Sequence, residues 1–217
     1  MRVEVWADIV CPWCYLGKRR LERALAEFAS AEEVEVVWRS FQLDPSFPAG
    51  VRQPVFTYLA EKFRADLPQV RQMTAQVRSL AAQEGLDLRA DRAQMVNTLD
   101  AHRLTHLAGR HGLQDPMQER LMRAHHTEGE AIDDPSTLLR LGTEVGVPAE
   151  DIRQLLDGDS YAEQVRQDLQ QAARLGVSGV PFFLFNGAHA VAGAQPAATL
   201  LAGLAAAAPA GAPGSRG

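Results

Sequence analysis

The chain has 217 residues, 46% of them hydrophobic, and a formal net charge of -5, enough apolar material for one or two packed units. Its negative balance provides no positive field of the kind that draws proteins to nucleic acid or anionic lipid, so neither partner is expected. No apolar run reaches the roughly 18 residues of a spanning helix, the alanine-rich stretch 200–208 included, so no membrane association is expected either.

Val3, Val5, Ala7 and Ile9 alternate with Arg2, Glu4, Trp6 and Asp8, the period-two pattern of a strand with two unlike faces. This acidic strand pattern stands where a basic-then-apolar leader would, so a cytoplasmic protein is expected. From residue 12 to about 29 the spacing turns helical, with Leu16, Leu21, Ala24, Leu25 and Phe28 on one face and Lys18, Arg19 and Glu22 off it. Pro12 suits the first helical turn. A second strand is predicted over 34–41, closed by Asp44, Pro45, Pro48 and Gly50. Strand, helix, strand implies a parallel pair with a right-handed crossover.

Residues 51–175 show almost no strand pattern and several helix-entry signals: Asp66 before Pro68, Asp115 before Pro116, and Pro135 before Ser136 and Thr137. Partial apolar stripes (Val96, Leu99, Leu107; Leu139, Leu141, Val145) and the glycines 85, 112, 129, 146 and 158 mark helices and their stops. Strand character returns over 180–185, followed by the turn pair Asn186-Gly187, a short run 188–192 and a final helix over 196–207. The end, 209–217, is built from Pro, Gly, Ala, Ser and one Arg and is predicted to be a disordered tail. Residues 1–48 and 176–208 would then form one discontinuous α/β domain around a helical insertion at 49–175.

The only two cysteines, Cys11 and Cys14, enclose Pro12 and Trp13. Three positions apart, they cannot staple distant segments. They suit a thiol–disulfide exchanger, in which one thiolate attacks and a second thiol resolves the mixed disulfide. Cys11 falls where a strand ends and a helix begins, and the orphan N–H groups and dipole there favour negative charge, so Cys11 is the expected nucleophile and Cys14 the resolving thiol. The competing interpretation is half of a zinc site. None of His102, His106, His111, His125, His126 and His189 adds a second knuckle with ligand spacing, and Arg103 stands where a zinc protease would carry its glutamate. Redox chemistry is favoured, with no metal.

The second informative run is Ser178-Gly179-Val180-Pro181. A cis proline would expose the Val180 backbone beside the cysteines for an extended substrate to pair with, although trans is the commoner form. Asp8 is a candidate for tuning Cys11 through water, against a packing or capping role. Asn97, Asp100, His102 and His106 are candidate cleft residues, against a solvated helix face. Trp13 could contact an unfolded substrate, and Arg19, Arg20 and Arg23 read as a wet helix face.

The runs Asp8-Ile9-Val10-Cys11-Pro12-Trp13-Cys14-Tyr15-Leu16-Gly17 and Gly176-Val177-Ser178-Gly179-Val180-Pro181-Phe182-Phe183 resemble the two signature segments of DsbA-family thioredoxin-like proteins, in particular the FrnE-like branch. The resemblance implies a thioredoxin-like fold interrupted by a large all-helical insertion, a nucleophilic Cys11, a resolving Cys14 and a cis Pro181 facing them. It implies protein thiols and disulfides as substrates, no cofactor beyond the Cys11–Cys14 couple, and glutathione or a thioredoxin-type protein as candidate redox partner. The periplasmic oxidase DsbA has histidine in the place of Trp13. An indole offers the thiolate less stabilisation, so a less oxidising couple is expected. Two other functions remain open: a glutathione-dependent isomerase or transferase like the kappa-class relatives, which usually carry serine in the place of Cys11, and a polypeptide-binding module without catalysis.

Overall fold

In the computed structural model residues 1–208 are described, and the expected tail 209–217 lies outside them. Strand β1 (Arg2–Ala7) leads through a short turn into helix α1 (Pro12–Glu27), and after a single 3-10 turn β2 (Glu35–Ser40) runs parallel to β1. This is the expected βαβ unit. Two short strands, β3 (Gln53–Pro54) and β4 (Gln94–Met95), pair as a small antiparallel ribbon that the sequence pattern did not announce, because two residues are too few to show a period. The helices of this middle section are, in chain order, α2 (Val55–Phe63), α3 (Leu67–Gln83), α4 (Leu99–Arg110), α5 (Gln114–Arg123), α6 (Pro135–Val145), α7 (Ala149–Asp157) and α8 (Ala162–Arg174). The chain then returns as β5 (Phe182–Phe185), β6 (His189–Ala192) and α9 (Ala197–Ala207). The sheet order is β2-β1-β5-β6, with β5 antiparallel to both neighbours. This is a thioredoxin-like sheet with helices inserted between its two halves.

Local chemistry accounts for several element ends. Asp66 caps α3 by accepting the Gln69 N–H while Gln69 returns a bond to the Asp66 backbone, a complete capping box. Asp134 caps α6 at Thr137, and its carboxyl is held down at about 2 by Ser136 and that backbone N–H. Asp115 is not a cap: α5 already begins at Gln114, and the Asp115 carboxylate accepts from the Trp38 indole instead. The hairpin after β5 turns through Asn186, Gly187 and Ala188, one residue more than a two-residue turn, with φ of 48° at Asn186 and 69° at Gly187.

Two burials go beyond what the sequence pattern indicates. β1 is central, so its second face is covered as well as its first. Trp6 is fully buried there with Ala172 of α8 and Leu184 of β5, and its indole donates to the Asp168 carbonyl. On α1, Lys18 is only 2% exposed, because α5 lies against the helix and brings Asp115 and Glu119 to it alongside Glu22. Burial pulls the Lys18 ammonium down, but those three carboxylates outweigh it and leave it above its ordinary range. Arg20 and Arg23 likewise meet Glu84 at the end of α3. The inserted helices are thus bolted to the polar face of α1.

Candidate active site

The turn out of β1 ends at Cys11, the N-cap of α1, whose N–H donates to the Asp8 carbonyl at 3.1 Å. Pro12 takes the first helical position, where no N–H is needed, and the Cys14 and Tyr15 N–H groups close the first turn on the Cys11 carbonyl. No acidic residue stands in that turn, so the positive end of the helix is not neutralised from within. Cys11 and Cys14 are both free thiols. Cys11 keeps 4% of its surface and Cys14 none. Burial pushes the Cys14 thiol well above its usual range, and its hydrogen bond with Cys11, the Cys11 charge and the Asp8 charge add to this against an opposing backbone bond at Asp8.

The Val180–Pro181 peptide is cis, and the Val180 carbonyl lies 3.8 Å from Cys11 Sγ. Gly17 makes this approach possible. A Cβ built on Gly17 would lie 2.8 Å from Pro181 Cγ and 3.2 Å from Phe183 Cζ, so only glycine lets α1 sit so close to that segment.

Beside the cysteines opens a cavity of about 340 Å³. Cys11, Pro12, Trp13, Gly179 and Val180 form one wall, while Leu59, Phe63, Met73 and Val77 from α2 and α3 face them. Trp13 is 37% exposed at the rim.

The remaining candidates lie elsewhere. Asp8 is 1% exposed, and its carboxylate accepts the Leu43 N–H at 2.8 Å and pairs with His102 Nε2 at 3.3 Å. It therefore ties the β1–α1 turn to the chain after β2 and to α4, and makes no cap on α1. Asn97 donates to the Phe47 carbonyl and accepts the Leu99 N–H, which organises the start of α4. His106 pairs with Ser40 Oγ at 3.0 Å and Asp168 at 3.1 Å and stacks on Tyr161. Asp100 is held by Arg103. None of Asn97, Asp100, His102 and His106 lines the cavity: Asn97, His102 and His106 hold elements together, and Asp100 pairs with Arg103 within α4.

The histidines that do line it are His125 and His126, on a π-helical turn over 124–128 that continues α5. His126 Nε2 donates to the Ile9 carbonyl at 2.9 Å, and the ring stacks on Tyr15. Burial lowers it to about 4 despite that bond and the Asp8 charge, and burial together with His126 lowers His125 further below the ordinary range. Burial thus favours the uncharged imidazole at both positions. In the sequence they are two histidines late in a long helical block, and in the structure they lie on a π-helical turn at the cavity that Cys11 lines. Among the described residues no cluster of three or more His, Cys, Asp or Glu has metal-binding geometry, and no helix is long and apolar enough to cross a membrane.

Comparison with known proteins agrees with this architecture. The pattern of the DSBA-like thioredoxin domain matches residues 2–205. The crystal structure of a probable DsbA oxidoreductase from Streptomyces coelicolor is 40% identical, with a TM-score of 0.92 over 95% of this chain and 89% of that one. The uncharacterized protein YwbO of Bacillus subtilis is 26% identical over 188 residues, which is 86% of this chain and 87% of YwbO. The cytosolic disulfide reductase DsbM from Pseudomonas aeruginosa, whose structure is also known with glutathione, has the same fold at 21% identity and a TM-score of 0.66, covering 95% of this chain and 98% of DsbM.

Proposed function

Because the chain belongs to the DSBA-like thioredoxin domain family, we propose that it is a thiol–disulfide oxidoreductase that exchanges disulfides with protein substrates through Cys11 and Cys14. One observation carries this: the two free thiols share the first turn of α1, Cys11 on the cavity and Cys14 sealed behind it. That asymmetry supports the roles proposed here. Cys11 attacks a substrate disulfide and forms the mixed disulfide, expelling a substrate thiolate. Cys14 then attacks the Cys11 sulfur, releases the second substrate sulfur and closes the Cys11–Cys14 disulfide. Before attacking, the Cys14 thiol must lose a proton that its burial holds tightly, and the Asp8 carboxylate beside it, backed by His102, is the acceptor at hand.

We place the protein in the cytoplasm, where reduction or isomerisation is the favoured direction and glutathione or a thioredoxin-type protein restores the dithiol. The two signature runs support the FrnE-like branch, and DsbM with glutathione supports that thiol as a co-substrate. Trp13, in place of the histidine of DsbA, supports a couple more reducing than the roughly -120 mV of that oxidase.

Redox titration against glutathione, with thiol mass labelling, should show a single two-electron couple between Cys11 and Cys14 below that potential. Cys11→Ser should abolish insulin-disulfide reduction while peptide binding persists. No couple would overturn the proposal; small-molecule turnover surviving in Cys11→Ser would favour a glutathione-dependent isomerase or transferase.

A further inference from the structure

His125 is 1% exposed and lines the cavity that holds Cys11, yet its ring reaches no hydrogen-bond partner among the described residues. The ring lies on the cavity wall, edge-to-face with His126 at 4.6 Å between centroids. Every other buried histidine is engaged: His102 by Asp8 and His126 by Ile9. An imidazole held on that wall without a hydrogen-bond partner leaves that bond to whatever enters the cavity.

The walls define that occupant. Opposite Cys11 they are Leu59, Phe63, Met73, Val77 and Leu88, so the occupant presents a broad apolar body with one polar atom at its tip. The apolar surface also continues outward over the rim at Trp13, Leu43, Phe63 and Met73, each 37–53% exposed. A molecule enclosed by the cavity would leave that rim unused, whereas a polypeptide with one side chain inserted would cover both. The rim carries Arg78, which has no carboxylate partner among the described residues, and Lys62, which donates to the Tyr58 hydroxyl and the Leu43 carbonyl. Its charge complements an acidic peptide.

We propose that this cavity is a specificity subsite for a tyrosine side chain near the reacting cysteine of an acidic polypeptide substrate, with His125 accepting the phenol O–H. The subsite rests on the disulfide-exchange function proposed above. A neutral imidazole has one lone pair for this bond, and a phenol brings the apolar ring and the donor together. A site built around such a bond rejects the analogue that lacks it.

The test uses the full-length protein and acidic peptide disulfides that differ only beside the cysteine: tyrosine, phenylalanine, O-methyltyrosine or leucine. The tyrosine peptide should react with a kcat/KM about tenfold or more above the phenylalanine and O-methyltyrosine peptides. His125→Leu should bring that ratio near one, and His125→Gln, which keeps an acceptor, should restore part of it. Equal rates for tyrosine and phenylalanine in the native protein would overturn the subsite, as would a preference that survives His125→Leu. Should His125→Leu fail to fold, the O-methyltyrosine peptide still decides, because it removes the donor from the substrate. Exchange with every peptide at one rate leaves the redox function standing without the subsite; no exchange with any peptide or with hydroxyethyl disulfide refutes both.

Discussion

On one side of the cysteine pair, buried polar groups are saturated; on the other they are not. Asp8 meets Leu43 and His102, and His106 meets Ser40 and Asp168, so the chemistry between β1, β2, α4 and α8 is closed on itself. Across the pair, His125 shares an apolar cavity with Cys11 and has no such partner. Residues of the same type therefore do opposite work: the satisfied ones hold elements in place, and the unsatisfied one is left for an incoming group.

The largest expected effect comes from acid. Folded His126 titrates near about 4 and His125 also lies below its ordinary range, whereas in the unfolded chain both take up protons near 6.5. Between those values the unfolded state binds more protons, so stability is lost as pH falls from about 6.5, by about 3 kcal/mol at pH 4 from His126 alone. Denaturant unfolding across that range should show the loss, and replacing both histidines by phenylalanine should flatten it.

Leucine replacements then contrast the two sides directly. His102→Leu strips the buried Asp8 carboxylate of a partner and should cost about 1–3 kcal/mol at neutral pH, measured by urea unfolding, together with slower closure of the Cys11–Cys14 disulfide. His125→Leu should cost less, since it removes an unpaired polar ring from an apolar wall. Equal costs would break the distinction. Gly17→Ala is the smallest of these changes. One methyl forced against Pro181 should cost about 1–2 kcal/mol and slow insulin reduction by displacing Val180 from Cys11.

Much of the fold was legible in one dimension. The period of β1, the proline at the start of α1, the Asp66 cap and the turn after β5 are local, because each is set by residues within a few positions of one another. The two cysteines at the start of α1 were legible for the same reason. Trp6, Lys18, Asp8 and the α4 histidines were assigned to surfaces, cleft or tuning roles that depend on what packs over them. α8, α5 and the chain after β2 come from up to 162 residues away to bury them. The cavity histidines were missed because a π-helical turn leaves no periodic trace in two residues.

By itself, then, the sequence determined the chemistry available to this protein: two thiols at a helix start, a proline that precedes a strand, and helices between two halves of a sheet. Only the tertiary structure decided how deeply each thiol is buried and which histidines line the cavity beside Cys11. Exposure and the pairing of buried polar groups are properties of surfaces brought together from distant segments, and no local spacing records them.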